Sequence, residues 1–395
     1  MRNIARSSKF GLKVDFKKSH GSYLFDKNSN REFLDLFGMY ASLPLGYNHP
    51  IFKTKEFLEE YNNIASFKIN NCEFVSDETL EFDQLFSSFA GRGIFKHFHY
   101  SCTGALAVEA AIKTCIEHRG HENPRILSFN NSFHGINSYG GFVTSRFSGA
   151  DVRLNGFPEV FSVKVDCDLA QVEEQILKHE ITCVLVESIQ CSAGDIYHSQ
   201  AFYKGLSRLC KEHGVPLVFD EIQIGFGGTG KLWYYEHLDV VPDIVIFGKK
   251  TQLSGIMVRE ELGSIFAPGK GVRLEVTWDG DATDMVRCKH IMKAYKEYNI
   301  LENVNNQSEK LLSGLKDIKM IENLRNSGLI IGFDLTNREI RDIMIEELYK
   351  HRLICNSTGS KSIRLRPNLA ITGEEVDAAL EIFRFIDDNW RQHVS

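Results

Sequence analysis

Short, unbroken apolar runs alternate with amphipathic stretches through the middle of the chain. Residues 125–129 (RILSF), 182–187 (TCVLVE), 215–220 (VPLVFD) and 243–248 (DIVIFG) are such runs. Their length suits strands, and the lack of polar alternation suits strands covered on both faces, as in a parallel sheet. Between them, residues 104–115 (GALAVEAAIKTC), 169–179 and 202–213 repeat apolar positions at helical spacing. Strand and helix in turn predict an α/β fold on a mainly parallel sheet. From about Asp281 the rhythm changes. Long helices are expected over 284–298 and 307–316, then a strand at 329–335, a helix at 339–351, a strand at 362–365 and a helix at 374–388. That second set reads as a smaller α+β unit. The expected division is an N-terminal segment, 1–50, belonging to the small unit, a large α/β domain, 51–290, and a C-terminal small domain, 291–395.

Open parallel sheets bind ligands beyond the carboxyl ends of their strands, so those ends are where chemistry is sought. The run VPLVFD ends in Asp220, and DIVIFG leads straight into Lys249. A carboxylate and an amine at neighbouring strand ends suit pyridoxal phosphate. The lysine condenses with the aldehyde, and the acid pairs with the pyridinium nitrogen. Burial lowers a lysine's pKa and leaves it nucleophilic. The same pair also fits a structural ion pair at the sheet rim. A third feature is Ser101-Cys102-Thr103-Gly104-Ala105, between the strand-like HFHY and the helix over 104–115. Small residues at a helix start leave free N–H groups at the positive end of the dipole, where a phosphate can sit. A plain N-cap has the same composition.

Composition narrows the class without changing it. Hydrophobic residues make up 43% and charged residues 25% of the 395, which is ordinary for a globular chain. A net charge of −6 offers no basic stripe for nucleic acid or an anionic membrane. No apolar run approaches the roughly 18 residues needed to span a bilayer, and the basic opening MRNIARSSKF lacks the apolar core of a secretory signal. Nine cysteines, from Cys72 to Cys355, form no CxxC pair. Reduced thiols in a cytoplasmic protein are the expectation. The glycines of 225–230 satisfy G-x-G-x-x-G, but the strand stops well before them and no clear helix follows, so a mobile loop beside the ligand is expected instead of a dinucleotide site. His97 with His99, and His118 with His121, lack the further convergent ligands that zinc requires, so no metal is expected.

The order of these features resembles the class III (ω-type) aminotransferases, pyridoxal-phosphate enzymes of fold type I, and among them the L-lysine 6-aminotransferases. The segments that carry the resemblance are 21–50 (GSYLFDKNSNREFLDLFGMYASLPLGYNHP), 103–109 (TGALAVE), Phe133-His134-Gly135, 220–225 (DEIQIG), 242–252 (PDIVIFGKKTQ), Thr277-Trp278 and 363–367 (IRLRP). The resemblance implies that Lys249 forms the Schiff base and shuttles the proton. Lys250 is the rival, and the family's spacing from DEIQ selects the first lysine. Asp220 would pair with the pyridine nitrogen, and Gln223 would sit near the phenolic oxygen or the substrate. Phe133 would stack on one ring face and Ile222 press on the other, with His134 beside the cofactor. Thr103, Gly104 and Ala105 would hold the phosphate, and Thr277 would reach the phosphate of a neighbouring subunit in a homodimer. Arg364 would take a substrate carboxylate, although Arg366, two residues on, shares its strand face. The implied activity is a two-step, ping-pong transfer from an amino donor to an oxo-acid acceptor. An aminomutase, racemase or decarboxylase on the same fold is the alternative.

Two positions depart from the lysine-specific pattern. Those relatives carry an Arg after their FHG, where this chain has Ile136. They also carry a Glu that pairs with the carboxylate-binding Arg, where this chain has Ser192. One cation and one anion fewer leave a less polar pocket. The donor expected is therefore a different ω-amine, β-amino acid or amino-aldehyde type of compound.

Overall fold

The computed structural model describes residues 10–67, 74–145 and 161–390. The chain opens with a hairpin of β1 (Tyr23–Asp26) and β2 (Arg31–Asp35). Two helices, Lys55–Ile64 and Asp77–Phe89, lead into the main sheet. That sheet holds β3 (His97–Ser101), β4 (Arg125–Phe129), β5 (Ser162–Val165), β6 (Ile181–Glu187), β7 (Leu217–Asp220), β8 (Ile244–Phe247) and β9 (Ser254–Val258), in the order β3-β9-β8-β7-β6-β4-β5. Every strand but β9 runs the same way; β9 is antiparallel to both β8 and β3. The carboxyl ends of β3, β6, β7 and β8 therefore share one edge.

The uniformly apolar runs have a simple cause. Along β6, β7 and β8, successive residues fall alternately into two packed clusters, one on each face of the sheet. Val184, Val186, Leu217, Phe219, Val245 and Phe247 join one cluster, and Cys183, Leu185, Val218, Ile244 and Ile246 the other. Helix Gly104–Arg119 covers the second face through Ala107, Val108, Ala111 and Ile112. Helix Gln200–Glu212 covers the first through Tyr203, Leu206 and Leu209. Each fully buried Val, Leu, Ile or Phe contributes roughly 1.5–3 kcal/mol relative to exposure, so the two layers hold the strand ends in fixed positions.

A four-stranded antiparallel sheet follows, β10 (Glu322–Ser327), β11 (Ile330–Asp334), β13 (Asn356–Thr358) and β14 (Ser362–Leu365), ordered β10-β11-β14-β13. Between β11 and β13 lie helix Arg338–Lys350 and the short β12 (Leu353–Ile354). β12 pairs in parallel with β2, so the N-terminal hairpin shares a sheet with a C-terminal strand. Helix Gly373–Asp388 closes the fold, held at its start by a capping box between Thr372 and Glu375. Among the described residues no helix is long and apolar enough to cross a membrane.

One expectation is corrected. Gly225–Gly230 is packed on all sides and does not form an open loop. A Cβ at Gly225 would meet the Trp233 ring at 2.7 Å, and one at Gly227 would meet Tyr295 at 2.9 Å. The glycines are there because other residues press against the backbone.

Candidate active site

At the shared strand edge lies a cavity of about 510 Å³. Asp220, Lys249, Thr103, Gly104, Ala105, Phe133, His134, Ile136, Ile222 and Gln223 all line it. Residues from four separate stretches of sequence thus converge. The cause is topological: β7 ends in Asp220, β8 stops just before Gly248 and Lys249, and the Gly104–Arg119 helix starts just past β3.

Lys249 sits in a left-handed backbone conformation, φ +56°. That costs of order 1–3 kcal/mol in a residue with a side chain and is typical of functional positions. Among the described residues its Nζ makes no hydrogen bond or ion pair, while the neighbouring lysine has a partner: Lys250 Nζ donates to the Gln223 carbonyl at 2.7 Å. Lys250 is buried and does not line the cavity. The geometry thus separates two residues that sequence spacing alone could only rank. Burial lowers the Lys249 amine to about 8, with Arg364 lowering it further against the opposing pull of Asp220, Cys191 and Glu187.

Asp220 is fixed by two hydrogen bonds. Its Oδ2 lies 2.9 Å from His134 Nδ1, and its Oδ1 accepts from the Ile222 N–H at 3.1 Å. Beside it on the next strand, in direct register, stands Glu187. This carboxyl also lines the cavity, and in the sequence it stood out only as the last residue of the run TCVLVE. The strand-end rule that singled out Asp220 would have found it. Burial, and then the Asp220 charge, push Glu187 up to about 8. Its oxygens accept from the Phe133 N–H and the Cys191 N–H, each at 3.1 Å.

Gly104 and Ala105 head their helix, where first-turn N–H groups have no intrahelical acceptor. Thr103, at the N-cap, makes no side-chain capping bond. A Cβ at Gly104 would come within 2.9 Å of Ile222 Cδ1, so the glycine admits Ile222 to the cavity wall. An uncommitted amine, an oriented carboxylate and an open helix N-terminus around one cavity fit pyridoxal phosphate in all three of its recognition groups: aldehyde, ring nitrogen and phosphate.

Arg364 and Arg366 both contact Gln223 of the cavity wall, and their other partners differ. Arg366 is ion-paired to Asp195 and donates to the carbonyls of Ile331 and Leu365. That acid raises its pKa despite burial. Arg364 has no ion pair among the described residues. Its Nη1 lies 3.2 Å from the Cys191 carbonyl and 3.3 Å from Gln223 Oε1, and its guanidinium carbon is 5.9 Å from the centre of the Tyr40 ring. Burial lowers its pKa, and Arg366 lowers it further. Neither Arg364 nor Ser192 forms part of the cavity wall itself. Ser192 is buried in the turn Cys191–Ala193, next to the carbonyl that Arg364 uses. Ile136 is 57% exposed at the cavity. Thr277 is exposed and stands apart from it.

The comparisons with known proteins agree with this geometry. L-lysine-epsilon aminotransferase of Mycobacterium tuberculosis is 31% identical over 94% of this chain and 90% of its own length. The mitochondrial 4-aminobutyrate aminotransferase of Mus musculus is 28% identical over 93% and 83%. In three dimensions, a lysine aminotransferase from M. tuberculosis superposes with a TM-score of 0.90 at 29% identity, covering 98% of this chain and 96% of that one. The ornithine delta-aminotransferase of Plasmodium falciparum gives 0.78 at 25% identity. The family description "Aminotransferase class-III" matches residues 4–386. Nearly the whole chain is covered, and it belongs to the class III aminotransferases, fold type I enzymes that use pyridoxal phosphate to move an amino group.

Proposed function

We propose that Lys249 is the residue that holds the cofactor, that Asp220 faces its ring nitrogen, and that Arg364 binds the carboxylate of an oxo-acid acceptor. The observation that carries this reading is the contrast in commitment: among the described residues Lys249 Nζ makes no hydrogen bond and Arg364 no ion pair, while Lys250 donates to the Gln223 carbonyl and Arg366 pairs with Asp195. Pyridoxal phosphate, when bound, supplies an aldehyde that accepts the amino nitrogen and a ring that withdraws electrons from the bond being broken. The protein does the rest. The amine of Lys249, lowered to about 8, is in part neutral near physiological pH and can take and return a proton at the reacting carbon. Asp220, oriented by His134, presents a carboxyl group that would pair with the ring nitrogen. Phe133 and Ile222 are the candidates for the two flanks of the ring, and Thr103, Gly104 and Ala105 for the phosphate.

The donor is read as an ω-amine, β-amino acid or amino aldehyde. The relatives named above act on lysine and 4-aminobutyrate, which supports a terminal amine. Ile136 lines the cavity as an apolar side chain, which supports a donor without a second carboxylate at that point. Thr277 is read as reaching the phosphate of a second copy, making the enzyme a homodimer. The pairing of β2 with β12 supports grouping 1–50 with 291–395 and treating 51–290 as the large domain. Cys102, Cys115, Cys167, Cys183, Cys191, Cys210 and Cys288 are free thiols, which supports a reducing, cytoplasmic setting. The test is a donor panel with one oxo-acid acceptor, followed by the absorbance of the bound cofactor. Terminal amines and β-amino acids should discharge the yellow form faster than L-lysine. A clear preference for L-lysine would overturn the substrate reading, and turnover with no acceptor present would overturn the ping-pong reading.

A further inference from the structure

Lys250 is 1% exposed and has no acid partner among the described residues. An isolated buried ammonium is costly, and an apolar side chain of the same shape would fill the space without that cost. Burial, with Lys249 and Arg366 nearby, brings this amine down to about 7. Its bond to the Gln223 carbonyl fastens the turn that follows Asp220. The turn wraps closely around it: a Cβ at Gly228 would lie 3.1 Å from both Cε and Nζ of Lys250.

The side chain of the same Gln223 lies between the two arginines. Its Oε1 is 3.3 Å from Arg364 Nη1 and 3.4 Å from Arg366 Nε. Both contacts are long, so the amide depends on its backbone for its position. Arg366 is anchored elsewhere by Asp195 and two carbonyls. Among the described residues, Arg364 has only Gln223 and the Cys191 carbonyl as side-chain hydrogen-bond partners. We propose that Lys250 is a positioning residue: from behind the turn it fixes the Gln223 amide between the arginines and so sets how well Arg364 receives a carboxylate. The inference rests on Arg364 being the carboxylate site.

Steady-state kinetics of the holoenzyme with a dicarboxylic oxo acid and with a carboxylate-free aldehyde acceptor test it. Lys250→Met should raise KM for the oxo acid about fivefold to tenfold, the effect of one lost hydrogen bond. It should change kcat by no more than about twofold and leave KM for the aldehyde unaltered. Adding Lys250→Met to Gln223→Leu should raise the oxo-acid KM no further, because both act through one amide. Gly228→Ala, which presses a methyl group on the amine, should shift the same KM in the same direction. If Lys250→Met yields no folded enzyme, Gly228→Ala decides alone, and an unchanged oxo-acid KM in it overturns the proposal. So does a parallel loss of kcat with both acceptors, or full additivity with Gln223→Leu. Arg364→Ala separates the two claims. If it leaves the oxo-acid KM unchanged, the carboxylate reading falls and the inference with it. If it raises that KM while Lys250→Met does not, only the role of Lys250 falls.

Discussion

At the amine end of the cavity, Asp220, Lys249 and the start of helix Gly104–Arg119 all follow directly on strands of one buried sheet. At the guanidinium end, Arg364 comes from β14, Cys191 from a short turn and Tyr40 from the segment after β2. The first set is positioned by layered core packing on both sheet faces. The second is positioned by a few long polar contacts among residues far apart in sequence. The backbone beneath Tyr40 holds as a run the left-handed conformation that Lys249 adopts singly: Gly38, Met39, Tyr40 and Ala41 all have φ between +51° and +68°. Non-glycine residues hold that conformation only where their surroundings impose it. A chemistry common to a family belongs on the rigid edge, and a choice of substrate on contacts that a single substitution can retune.

The largest effect should come from the rigid edge. Lys249→Ala should lower kcat by about a thousandfold or more, because no other group can take its part. Lys250 should not rescue it, since its Nζ is tied to Gln223 on the far side of the turn. Recovery of normal yellow absorbance in that variant would blur the distinction between the two lysines.

A smaller effect concerns pH. Burial lowers Lys249 to about 8, so the neutral amine predominates above that value and the protonated form below it. The rate at which apo-protein takes up pyridoxal phosphate should fall up to about tenfold per pH unit below 8 and level off above it. An ordinary lysine, near 10.4, would keep the rate rising well past pH 9. Stopped-flow absorbance across this range distinguishes the two.

The smallest effect is expected at the adjustable end. Ile136→Arg restores a cation at an exposed position, where a charge pair is worth about 0.2–1 kcal/mol. The kcat/KM for L-lysine should rise about twofold to fivefold, with little change for a simple amine. An equal rise for both would show that Ile136 does not discriminate between donors.

The same contrast governs what the sequence disclosed. β4 and β14 follow the predicted bounds, and β6, β7 and β8 lie within a residue or two of theirs; these last three, covered on both faces of the sheet, leave nearly unbroken apolar runs. β10 (ENLRNS) left no such trace, being a polar strand with mostly half-exposed side chains. β9 (SGIMV), five residues following closely on the lysine turn, was not read as a strand. Within the site, Asp220 and Lys249 were legible from strand ends. The choice of Arg364 over Arg366 was not, because it depends on Asp195, a residue remote in sequence that pairs with only one of them. The position of Glu187 on the cavity wall was missed for want of applying the strand-end rule one strand further.

The account depends most on which lysine carries the cofactor. Borohydride reduction of the holoenzyme, proteolysis and mass mapping of the pyridoxyl-modified peptide measure this directly. The modification should fall on Lys249 alone. Its appearance on Lys250, or on a lysine outside the cavity, would contradict the assignment.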